Sequence, residues 1–168
     1  LDPAYVRSTR ELDMHRWLAF DETRHVLLEQ RLGSFKTARR TTALGMLDYG
    51  DDMIPAWDTA CNNDNDTALQ YMRDYYRLAN PARLADAIAQ ARHYAHVDFI
   101  AHDPDPLRRG TMPAHCPHHT DGATYPSHMW VDGLLAVYGA TGDPDLREAA
   151  LSAGENMLRW QAQSPDIF

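Results

Sequence analysis

Four of the chain's nine histidines fall between positions 115 and 128, in the run His115-Cys116-Pro117-His118-His119-Thr120-Asp121-Gly122-Ala123-Thr124-Tyr125-Pro126-Ser127-His128. Imidazole exchanges a proton near neutral pH, and a phenol beside it can supply one. His118, His119 and His128 are therefore candidate bases, and Tyr125 is a candidate acid. Residue type does not separate the three histidines. Any single ring has an equal claim to a plain role, bonding a carbonyl or the start of a helix capped by Ser127; it is the cluster that points to chemistry. The same run offers nitrogen, sulfur and the Asp121 carboxylate to a zinc ion. Its spacing matches neither a Cys-x-x-Cys pair nor a helical His-Glu-x-x-His, and adjacent His118 and His119 do not easily face one ion. Proton transfer without a cofactor is thus the leading expectation, and zinc the minority one.

A second polar run, Asn62-Asn63-Asp64-Asn65-Asp66, precedes a helix. The amides of Asn62 and Asn63 suit sugar hydroxyls or a carboxylate, and Asp64 and Asp66 could serve as acid and base or bind calcium through oxygen. Calcium is a further minority reading, because the run lacks the downstream Glu of a calcium loop. Asp66 has a simpler explanation as a helix N-cap. Trp57 and Trp130 lie near the two runs, where flat rings could stack on sugar C–H faces. Helical spacing favours core packing for Trp130, and Trp17 and Trp160 read as core or interface. Arg108, with Arg109, could meet a uronate carboxylate, although such pairs are more often solvated. Cys61 and Cys116 sit in the two runs; free thiols are expected, with a bridge between them as the alternative.

These residues need a scaffold, and helical hairpins supply it. Leu69, Met72, Tyr75 and Tyr76 recur at helical spacing over 67–79, with Asp66 as cap. Asn80-Pro81 restarts a helix to about Val97, with Leu84, Ala87, Ile88, Ala91 and Tyr94 or Ala95 inward. Ser127 is expected to cap a third helix to about Ala140, with Trp130, Leu134, Leu135 and Tyr138 inward, stopped by Gly142. Asp143-Pro144 starts a fourth to about Gln161, with Ala150, Leu151, Met157 and Trp160 buried. Pro81 and Pro144 are 63 residues apart, a weak internal repeat of hairpin units. The predicted fold is all-α, with helix-hairpin repeats forming part of an (α/α) toroid. Residues 1–168 read as part of one such domain, with a less regular portion over 1–65 and two hairpins over 66–161. Within the former, a helix is expected over 21–32, ending at Gly33, and loop with short strands over 34–65.

Composition bounds the partners. A net charge of −8 argues against nucleic acid, while leaving room for a local basic groove that takes an anionic sugar. A hydrophobic content of 44% suffices for a core. No apolar run is long enough to span a membrane. No signal peptide is evident, and the chain reads as an excerpt of a longer protein, so an extracellular or periplasmic setting remains compatible.

The ordered series of motifs resembles the α/α-toroid domain of exo-rhamnogalacturonan lyase-like proteins. It comprises Tyr49-Gly50-Asp51, then Trp57, then Asn62-Asn63-Asp64-Asn65-Asp66, then Val97-Asp98-Phe99-Ile100-Ala101-His102. The histidine run follows, then Ser127-His128-Met129-Trp130-Val131-Asp132-Gly133-Leu134-Leu135 and Thr141-Gly142-Asp143. The resemblance covers roughly residues 45–160. Thr-Gly-Asp alone is common among sugar-active toroids, and the ordered series is more specific. Two positions depart: Asp64 stands for a Glu and Asn65 for a Tyr, which puts substrate or reaction in question. The resemblance implies a polysaccharide substrate containing uronic acid, cleaved by β-elimination, and further β-rich domains in the parent chain. Asn63 or Arg108 would neutralise the uronate, His118, His119 or His128 would take the C5 proton, and Tyr125 or another histidine would protonate the leaving oxygen. The alternatives are an inverting hydrolase using Asp51 and Asp64, roughly 6.5–9.5 Å apart, and a carbohydrate-binding toroid without catalysis.

Overall fold

Asn80-Pro81 and Asp143-Pro144 each turn one helix into the next with almost no loop, and the two turns share their geometry. The computed structural model describes residues 2–9, 52–54, 59–61, 66–113 and 123–165, with the backbone alone for 52–54 and 59–61. These residues are mostly helical. Helix α1 spans Pro3–Thr9. An antiparallel pair follows, β1 (Asp52–Ile54) and β2 (Thr59–Cys61), with Met53 opposite Ala60. Then come α2 (Thr67–Leu78), α3 (Pro81–His93), a π-turn over Tyr94–Asp98, a 3-10 turn over Pro126–His128, α4 (Asp132–Thr141) and α5 (Pro144–Gln163). The strand pair falls in the segment expected to be loop with short strands. The helix expected over 21–32 lies outside the described residues.

At both turns the helix ends on a left-handed residue, Ala79 (φ 52°) and Gly142 (φ 74°). Its N–H donates to the carbonyl of Tyr75 or Tyr138, each at 2.7 Å. The next residue caps the following helix: Asn80 accepts from the Ala82 N–H (3.0 Å) and Asp143 from the Asp145 N–H (3.3 Å). Proline then occupies the first helical position, where no N–H is needed. Tyr75, Ala79, Asn80 and Pro81 thus match Tyr138, Gly142, Asp143 and Pro144 in role as well as in spacing.

The core lies between the hairpins. Ala68, Tyr71, Met72 and Tyr76 of α2 meet Ala87, Ala91 and Tyr94 after the first turn, and Leu134, Val137, Leu146, Ala149 and Ala150 of the second hairpin. Small residues on α3 and α5 let the helices approach closely. Val6 joins from α1, whose Arg7 donates to the carbonyls of Tyr76 (2.6 Å) and Arg77 (3.2 Å) and so satisfies the end of α2.

Several expectations change in the second hairpin. The third helix starts at Asp132, not after Ser127, because Pro126–His128 closes a separate 3-10 turn. Trp130 and Leu135 were expected inward but are 43% and 46% exposed, and Leu151 is 48% exposed. The hairpins are not stacked side by side in register either. Helix α4 begins at the start of α2 and delivers the first turn of α5 to the end of α3. There Arg92 holds Asp143 through Nε (3.0 Å) and Nη2 (2.9 Å), and His96 Nε2 lies 3.6 Å from Asp145. The ten residues of α4 span about 15 Å, enough to cross the end of the first hairpin. No helix among the described residues is long and apolar enough to cross a membrane.

Candidate functional site

The Asn-rich run ends at Asp66, which touches Gly133, a residue beyond the end of the histidine run. Asp66 closes the Asn-rich run, and Gly133 lies five residues past the last histidine of the other. The Asp66 side chain is buried at the start of α2, with the backbone in the left-handed region (φ 44°) that Asp tolerates better than most residues. Its Oδ1 accepts from the Leu69 N–H (3.2 Å), the expected cap. Its Oδ2 accepts from the Gly133 N–H (3.0 Å), 67 residues away. Val131, at the cap position of α4, makes no side-chain cap bond. Asp66 therefore serves the first turns of two helices, and the partial positive charge of both N-termini meets on one carboxylate.

Gly133 is required by this contact. A Cβ there would lie 2.2 Å from Asp66 Oδ1, 2.7 Å from the Leu69 nitrogen and 2.8 Å from Ala68 Cβ. Burial pushes the Asp66 carboxyl above its usual 3.8, outweighing the two N–H bonds that favour its charged form; Asp132 adds to the rise and Arg73 opposes it.

Tyr125, His128 and Trp130 lie just ahead of α4. Tyr125 is 45% exposed, His128 half-buried, and their ring centroids are 5.3 Å apart. Ser127 Oγ, expected to cap a helix, instead lies 3.0 Å from His128 Nδ1. A base role for His128 uses the tautomer whose Nδ1–H donates to Ser127, which puts the lone pair on Nε2. Trp130 is exposed despite its helical spacing, since the helix has not begun at that position. Of the other candidates, Trp57, Asn62, Asn63, Asp64, His118 and His119 lie outside the described residues, as do Asp51 and Cys116. Cys61 is the last residue of β2.

Arg108 has a structural partner. Its Nε lies 3.1 Å from Asp103 Oδ2 within the 103–111 loop, and α5 grips that loop. Asn156 Nδ2 donates to the carbonyls of Leu107 and Arg109, both at 2.8 Å, and Arg159 donates to those of Pro106 (2.9 Å) and Arg109 (2.8 Å). Gly110 (φ 84°) fits because a Cβ would meet the Ser152 carbonyl oxygen at 2.3 Å.

Sequence reading missed a buried pair at the end of α3. His93 Nε2 lies 3.1 Å from Asp98 Oδ2, both fully buried. The neighbouring Tyr94 hydroxyl is also buried, and its pKa is raised, first by desolvation and then by the Asp98 and Asp66 charges. The available signal was a histidine on the inner side of α3 with an acid five residues on, across the helix end. Among the described residues no three His, Cys, Asp or Glu side chains are grouped to hold a metal ion. Of the residues weighed for zinc or calcium, His115 to Asp121 and Asp64 lie outside them, and Asp66 accepts the Leu69 and Gly133 N–H groups. No family model matches the chain, and neither does any curated protein or solved structure.

Proposed function

We propose that this protein is a carbohydrate-active lyase that cleaves a uronic-acid-containing polysaccharide by β-elimination, on helical hairpins that form part of an α/α array. The observation that carries the reading is the Asp66–Gly133 bond. It ties the end of the amide-rich run to the segment bearing His128 and Tyr125, so one site can draw on both. Exposed Tyr125 and Trp130 supply flat faces of the kind that stack on sugars. The repeated turn supports the array, although the second hairpin crosses the end of the first.

In this reading Asn62 and Asn63 hold the uronate carboxylate and make its C5 proton acidic. His128 Nε2 takes that proton, with His118 and His119 as the competing bases, and Tyr125 donates to the leaving O4. Arg108 is less suited to the uronate, being already paired with Asp103. No bound metal or organic cofactor takes part in these steps.

The test is ultraviolet absorbance of the unsaturated uronate released from rhamnogalacturonan I and other uronate polymers. Absorbance should rise with wild-type protein and fall by a factor of ~100 or more with His128→Ala, the usual scale for losing a general base. New reducing ends without absorbance would mean hydrolysis. Binding without either product would mean a sugar-binding protein.

A further inference from the structure

Helix α5 carries an exposed stripe whose order reads the same from either end if charge is reversed. Arg147, Leu151 and Glu155 stand four residues apart and are all exposed, with Leu151 48% exposed. Residues at this spacing share one helix face. Leu158, 66% exposed, continues the stripe, and Gly154 beside it would meet nothing within 4 Å if given a Cβ. The buried residues of α5, namely Leu146, Ala149, Ala150, Ala153 and Asn156, lie on the other side. Nothing among the described residues covers the leucines at 151 and 158.

We propose that this face of α5 is the seat of a second copy of this chain, paired by a twofold axis. A twofold perpendicular to α5 makes the two helices antiparallel. Centred on Leu151, it sets Leu151 against Leu151 of the other copy and brings each Arg147 opposite the other copy's Glu155. A face with this order is complementary to itself, which is the requirement for an isologous interface. An unrelated partner would place no such demand on the sequence.

The charges are available for the pairing. Among the described residues Arg147 pairs with the adjacent exposed Glu148 (2.8 Å), a kind of pair that contributes little. Glu155 reaches Arg159 only at 3.8 Å, because that guanidinium is engaged with the carbonyls of Pro106 and Arg109. Pairing along a helix about 30 Å long buries on the order of 500 Å² per partner, below the ~800 Å² of a standard interface. Association is therefore expected at micromolar concentration.

Sedimentation equilibrium of the full chain tests this, with far-ultraviolet circular dichroism as the folding control. Wild-type protein should pass from monomer to dimer in the micromolar range, and Leu151→Glu should stay monomeric with unchanged helicity. Glu155→Arg should weaken association about tenfold, and Arg147→Glu in the same chain should restore it. These charge variants change only exposed side chains, so they remain informative if Leu151→Glu misfolds. A wild-type chain that stays monomeric at hundreds of micromolar overturns the proposal, even if the face binds a hydrophobic dye and so awaits some other occupant. Dimers that survive Leu151→Glu, or a double charge reversal that fails to rescue, overturn it too.

Discussion

Asp66 shows how much one side chain can settle. Two opposing effects act on its carboxylate: two helix N-termini favour the charge, and burial penalises it. Burial prevails, so the folded-state pKa stands above the unfolded value of 3.8. The native state then holds the proton more tightly than the unfolded chain. The stabilisation is complete below pH 3.8 and is lost as pH rises through the folded-state pKa. Asp66→Asn removes the titration while keeping the shape. The unfolding free energy of wild type minus that of Asp66→Asn should therefore fall as pH rises from 3 to 7, an interval of about four units chosen to bracket an ordinary carboxylate. A difference that grew with pH would mean that the N-termini prevail instead. Asp66→Ala should lose about 1–2 kcal/mol at each of the two capped helices. The His93–Asp98 pair is a second case. Replacing either residue by Leu removes one member of a buried pair and should lower stability by ~3–5 kcal/mol, whereas the double replacement should cost less than the two single losses added together. Additive losses in a double-mutant cycle would show that the two groups do not act as a pair.

Glycine positions separate what each element needs from what its neighbours need. Gly133 and Gly139 both lie in α4. Gly133 faces Asp66, Leu69 and Ala68, whereas a Cβ at Gly139 would meet nothing within 4 Å. Gly133→Ala should destabilise by ~2–4 kcal/mol, because the backbone it would strike cannot step aside. Gly139→Ala should stabilise by ~0.5–1 kcal/mol through helix propensity alone. Denaturant unfolding of both variants at submicromolar concentration checks the contrast, and equal effects of one sign would remove the case for a close α2–α4 approach. The same contrast explains how far the sequence could be read. The caps at Asn80 and Asp143, the prolines after them, the stop at Gly142 and the inner faces of α2 and α3 are local features, and all are present as expected. The start of α4 was misplaced because its cap comes from Asp66, 67 residues away, which no window around Ser127 contains. Periodicity puts Trp130, Leu135 and Leu151 inward, but it reports a stripe and not which neighbour covers it. Within the described part of the site, the role of Asp66 as a cap of α2 was legible, and its second bond, to the Gly133 N–H, was not, since it is tertiary.

At the scale of the whole molecule, the second hairpin does more than repeat the first. After α4 crosses its end, α5 carries onward to the 103–111 loop, which it holds through Asn156 and Arg159. That loop also closes on itself: the Ile100 N–H donates to the Thr111 carbonyl (2.8 Å) and the Gly110 N–H to the Ile100 carbonyl (2.9 Å). In the sequence the histidine run starts a few residues beyond Thr111, and α5 holds the described residues that precede it. Asn156→Ala would take the side-chain amide donor from the Leu107 carbonyl and leave that of Arg109 to Arg159, a loss of about 1–3 kcal/mol. Little of that loss should reach α2, whose amides are protected by its own ladder and by the core. Native-state hydrogen exchange should therefore show the Ile100 and Gly110 amides exchanging ~10-fold faster or more in Asn156→Ala, with those of Tyr71 and Met72 nearly unchanged. Equal acceleration at all four would mean that loop and hairpin unfold as one unit, and that α5 supports the whole core rather than the approach to the site.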